Sequence, residues 1–64
     1  MITFFDLHTI LDLKCELEVR DWWTDDLLQE GVNGPTDWNE DLLDRRVRKI
    51  CPGIVTLIFL DAKV

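Results

Sequence analysis

The side chains able to do chemistry in this chain are few in kind and uneven in number. There are thirteen carboxylates, two cysteines (Cys15 and Cys51) and one histidine (His8), with neither serine nor tyrosine. A nucleophile, base and orienting acid would have to be assembled from Cys15 or Cys51, His8 and an acid. Cys15 falls on the apolar side of an alternating segment, where a thiol is ordinarily inert. His8 has no metal ligand at helical spacing, so an enzyme is not expected. Two cysteines without histidine neighbours make no zinc site of usual spacing. They read either as two buried thiols or as a disulfide joining strand to helix end.

Carboxylates recur in two similar phrases, "WTDDLLQE" from Trp23 and "WNEDLLDR" from Trp38. Hard cations need six or more converging oxygens, usually from a glycine-containing loop. These acids stand instead where helix starts would use them, so neither a metal nor any other cofactor is expected. Gly31, Gly34 and Gly53 are scattered and form no phosphate loop. "RRVRK" (residues 45–49) is the one basic cluster, accounted for by helix-end electrostatics. Residues 1–44 carry twelve carboxylates against Lys14 and Arg20, a balance of −10, whereas residues 45–64 stand at +4 within a net charge of −6. Such a field repels nucleic acid and anionic membrane and attracts basic proteins, or it serves solubility alone.

Elements must hold these groups in place. "LDLKCELEVRD" alternates Leu11, Leu13, Cys15, Leu17 and Val19 with charged residues, which predicts a strand near 13–20 with one apolar and one charged face. "IVTLIFL" predicts an inner strand near 54–60, apolar on both faces. Residues 4–11 fit either a helix, with Thr3 and Asp6 as a cap, or a first strand. Thr24 as cap, Trp23 and Leu28 as a hydrophobic staple and Gly31 as terminator predict a helix near 25–30. Asp37 with Glu40, Asp41–Arg45 and Asp44–Arg48 at i,i+4, and Pro52-Gly53 predict a second helix near 37–50. The expectation is a small α+β domain spanning 1–64, a short antiparallel sheet with helices packed on it. A chain this size buries only about 60% of its unfolded surface. The longest apolar run is too short to span a bilayer, and the N-terminus lacks a basic leader, which predicts a soluble, cytoplasmic protein.

Two features point to protein recognition. Glu16 and Glu18 would share a strand face about 6.8 Å apart, and Asp37–Asp41 and Glu40–Asp44 would stand about 5–6 Å apart along a helix. Such rows can offer a basic groove what a phosphate backbone offers, although Lys14 and Arg20 interrupt the strand face. On the second helix, Leu43, Val47, Ile50 and Cys51 form a core arc, with Trp38 and Leu42 on a separate stripe. That stripe is either covered by the first helix or carries Trp38 as an interface anchor. Of the adjacent pair, Trp23 is expected to be buried and Trp22 the more exposed.

In size, acidity and α+β character the chain resembles the small inhibitor proteins of phages and mobile elements, including anti-CRISPR proteins and other DNA mimics. The resemblance lies in character along the whole chain and not in a motif. It implies binding to the basic nucleic-acid groove of a host complex, such as a CRISPR effector in the host cytoplasm, and blocking of target DNA by competition. Carried onto this sequence, it implicates Glu16, Glu18, Asp21, Asp25, Asp26, Glu30, Asp37, Glu40, Asp41 and Asp44. The basic "RRVRK" segment departs from a uniformly acidic mimic and confines the acidic surface to one side. The alternative is a hydrophobic interaction module or homodimer using Trp38, Leu42 and Trp22. The chain itself would be a monomer or a weak homodimer.

Overall fold

The computed structural model describes residues 2–62. Its element order is α1 (Phe4–Ile10), β1 (Glu16–Asp21), β2 (Leu27–Val32), α2 (Glu40–Leu43), β3 (Val47–Cys51) and β4 (Thr56–Leu60). The strands form one sheet in the order β2-β1-β4-β3. The fold is α+β as expected, with two short helices on one face of a four-stranded mixed sheet.

The segment at 4–11 is a helix. Thr3 accepts from the Asp6 amide, and the Asp6 carboxylate accepts from the Thr3 amide, both at 3.3 Å, which satisfies two amides at the helix start. The helix buries Phe4 and Leu7. Its far end is held by Asn33, a 1% exposed residue whose amide nitrogen donates to the carbonyls of His8 (2.9 Å), Leu11 and Asp12 (both 3.3 Å).

The expected first strand is present, but it begins at Glu16. Residues 12–15 form a turn with Lys14 at φ 71°, which throws Leu13 into solvent. From there the alternation holds: Leu17 and Val19 are buried, and Glu16, Glu18 and Arg20 lie on the opposite face.

Three expectations are corrected. Residues 25–30 are not a helix; they lie at the turn and in β2, antiparallel to β1. The Asp21 carboxylate accepts from the Trp23 and Thr24 amides at 2.8 and 3.1 Å, and Asp25 adopts φ 61°. This reverses the chain where a helix would start, and strand pairing then overrides the local helix signals. The 37–50 helix is reduced to Glu40–Leu43, and residues 47–51 are a strand antiparallel to β4. Val47 turns to the core, and Arg48 is the extra residue of a bulge between Val47 and Lys49. The strands expected at 13–20 and 54–60 do pair, but in parallel, so the sheet is mixed.

One core results, made of Phe4, Leu7, Leu17, Val19, Trp38, Leu42, Ile58 and Leu60. Trp38 meets Phe4 edge-on at 5.2 Å between ring centroids. β4 lies inside the sheet as expected, but only Thr56, Ile58 and Leu60 are buried; Leu57 and Phe59, on the other face, remain half-buried. Among the described residues no helix is long and apolar enough to cross a membrane.

Candidate acidic surface

The β1–β2 hairpin and the segment that follows it carry most of the carboxylates. On β1 and β2, Glu18 and Glu30 are cross-strand neighbours, with Glu16 two residues along the same face. These three acids rim an open depression also lined by Leu17, Gly31, Val32 and Val55. Asp25 and Asp26 stand exposed at the turn. Asp37 and Glu40 are exposed in the segment entering α2, which Gln29 of β2 holds with a two-ended clamp. Its amide nitrogen donates to the Asp37 carbonyl at 3.0 Å, and its oxygen accepts from the Asn39 amide at 2.8 Å. Asp41 and Asp44 are exposed on and just after α2.

Not every expected acid faces outward alone. Arg20 donates to Glu18 from Nε at 2.6 Å and to the Asp25 carbonyl at 2.9 Å. Asp21 is half-buried against Arg45, 2.8 Å away, and this guanidinium beside its carboxyl holds Asp21 below the ordinary aspartate range. Burial opposes that shift, while the Thr24 and Trp23 amides reinforce it. Asp21 therefore organises the hairpin and contributes little free charge to the surface.

The tryptophans are redistributed relative to expectation. Trp38, expected either under the helix near 25–30 or as an interface anchor, is 5% exposed and belongs to the core with Leu42, because α1 covers that stripe in place of that helix. Trp23 is 64% exposed and Trp22 36%, the reverse of the expected order, because residues 22–24 form the hairpin turn and the Trp23–Leu28 staple of a helix never arises.

Sequence reasoning also missed a cluster that joins β3 to the hairpin turn. The Arg48 guanidinium lies 5.4 Å from the Trp22 ring and 5.1 Å from the Trp23 ring, and it pairs with Asp61 at 3.3 Å. Trp23 Nε1 donates to the same Asp61 carboxylate at 2.9 Å. The available signal was "RRVRKI" read as a strand, but four basic residues beyond an acidic stretch look equally like a helix end.

As for catalysis, the His8 ring lies beside Phe4 and Phe5 at 5.5 and 5.6 Å. Cys15 Sγ lies 3.6 Å from the Thr56 hydroxyl, and both cysteines are free. Among the described residues no three His, Cys, Asp or Glu side chains converge as a metal site. The arrangement leaves carboxylates exposed on the hairpin turn and at the entry to α2. No protein-family model matches the chain, and no curated protein or solved structure gives a significant match.

Proposed function

We propose that this protein is a non-enzymatic inhibitor whose acidic side occupies the basic nucleic-acid groove of a partner and excludes the nucleic acid by competition. One observation carries this reading: exposed charge is uneven across the sheet, with Arg20 and Asp61 as the exceptions on either side. β2 and β3 are the two edge strands, so the acids of the hairpin and of the α2 entry lie toward one edge and Arg46, Arg48 and Lys49 toward the other. Exposed carboxylates at Asp25, Asp26, Asp37 and Glu40 present negative charge from a rigid frame, which is how a phosphate backbone engages a cationic channel. CRISPR effector complexes are the partner class proposed, and the host cytoplasm the site of action.

The test is target-DNA binding by a panel of purified CRISPR effector complexes, with this protein as competitor at rising salt. Inhibition that weakens steeply with salt and disappears with Asp37→Lys plus Glu40→Lys supports the proposal. Inhibition indifferent to both, or absent throughout the panel, defeats it. Of the rival reading, an apolar module or homodimer using Trp38, Leu42 and Trp22, the first two residues are buried in the core and only Trp22 keeps an exposed face.

A further inference from the structure

We infer that the outer face of the sheet is a self-association surface whose occupant is a second copy of this chain. The inference does not rest on the groove-binding proposal, whose test acts on Asp37 and Glu40 at the α2 entry.

The sheet has a parallel pair, β1 and β4, at its centre. Parallel strands are ordinarily covered on both faces. Here the helices cover the inner face, and among the described residues no element lies across the outer one. The outer face retains half-buried Leu57 and Phe59, with Trp22 edge-on to Phe59 at 5.9 Å and Leu27 47% exposed. Among the described residues no further layer buries them.

The charges say which partner fits. Strand register sets Leu27, Arg20, Phe59 and Lys49 in one row across the sheet, and Glu30, Glu18, Leu57 and Cys51 in the next, with Glu16 beyond. The face is thus cationic and aromatic toward Trp22 and Arg48, acidic toward Glu16 and Glu30, and apolar between. A uniformly basic groove would meet Arg20 and Lys49; a nucleic acid would meet Glu16, Glu18 and Glu30. A second copy carries both signs at the matching separation. A two-fold axis lying in the contact plane and running between β1 and β4, slightly oblique to the strands, sets Lys49 of each copy against Glu30 of the other, with Leu57 and the Glu18-paired Arg20 of both copies near the axis. Among the described residues no ion pair engages Lys49, Glu30 or Glu16, so the contact would supply partners without breaking existing ones.

Sedimentation velocity over a concentration series, at low and high salt, tests this on the intact chain, with circular dichroism confirming the fold of each variant. A monomer–dimer equilibrium is expected, weaker at high salt. Lys49→Glu and Glu30→Lys should each weaken association about tenfold. The chain carrying both should regain it, because each copy then presents the exchanged charges. Leu13→Ser, off this face, and Asp37→Lys with Glu40→Lys should leave association unchanged, which separates this result from that of the groove-binding test. A chain monomeric at every concentration overturns the inference, as does a dimer indifferent to both reversals or a double variant that fails to recover.

Discussion

Arg45 and Asp21 are twenty-four residues apart in sequence and 2.8 Å apart in the fold, with side chains only 10% and 18% exposed. Arg45 also donates from Nε to the Asp61 carbonyl at 2.7 Å, so a single guanidinium ties the β1–β2 turn to the end of β4. Asp21 spends its other oxygen on the Trp23 and Thr24 amides. The ion pair and the turn are therefore one unit, and the hairpin that replaces the expected helix depends on it.

The same pair predicts how stability depends on pH. A carboxyl held below its ordinary range in the folded state stabilises the fold above the unfolded-state value. That contribution is lost as pH falls through the folded value. Urea midpoints should thus decline as the solution is acidified below the ordinary aspartate range, and Asp21→Asn should flatten this decline. At neutral pH, Asp21→Ala should cost about 2–3 kcal/mol, since it strands a partly buried guanidinium and two turn amides. An acid limb unchanged in Asp21→Asn would show that other carboxyls govern it.

Asn33 should be nearly irreplaceable. Its amide serves three carbonyls at the end of α1, and its backbone pairs with Lys14 and Cys15 at 2.8 Å in each direction. Asn33→Ala leaves part-buried carbonyls unserved and should cost about 2 kcal/mol; Asn33→Asp, which sets a carboxylate against them, should cost more. Equilibrium unfolding of the two variants checks the order, and Asp matching or exceeding Ala in stability would contradict it.

What could be read from the sequence divides along the range of the forces involved. Thr3–Asp6 capping and the Leu17–Val19 alternation are local, and both survive in the fold. The signals at Thr24 and Asp37 are just as local, yet there strand pairing won, because β2 and β3 complete a sheet that buries Val19 and Ile58. Arg45 and Arg48 looked like helix-end cations paired four residues back; their ion pairs run to Asp21 and Asp61, positions that only the folded topology brings near. The acidic surface was legible as composition. Its division from the basic edge needed the strand order, and the outer-face rows needed the register.

Trp38 carries its indole nitrogen into the core, where it finds no hydrogen-bond partner among the described residues. An unsatisfied buried donor carries a desolvation cost, so its removal offsets part of the cavity that a smaller ring leaves. Trp38→Phe is therefore expected to cost about 1 kcal/mol and Trp38→Ala about 3–5 kcal/mol. Fluorescence provides a second readout: Trp38→Phe should remove the emission least accessible to acrylamide and leave that of exposed Trp23. Equal losses of stability in the two variants would show that the nitrogen matters more than the packing.

Gln29 joins the fold to the proposed function. It lies opposite Val19, in the inward row of β2 where an apolar residue would ordinarily stand. Its amide instead grips the backbone at Asp37 and Asn39 from both sides. That grip sets the segment entering α2 against the sheet and so fixes the direction from which Asp37 and Glu40 face solvent. Gln29→Ala should lower global stability by about 1 kcal/mol, raise amide hydrogen exchange at Asn39 more than in β4, and weaken groove competition while every carboxylate remains. Gln29→Glu keeps the acceptor for Asn39 but loses the donor to Asp37, so it should fall between. If Gln29→Ala releases the segment and competition persists at full strength, then total charge, and not its placement, governs binding.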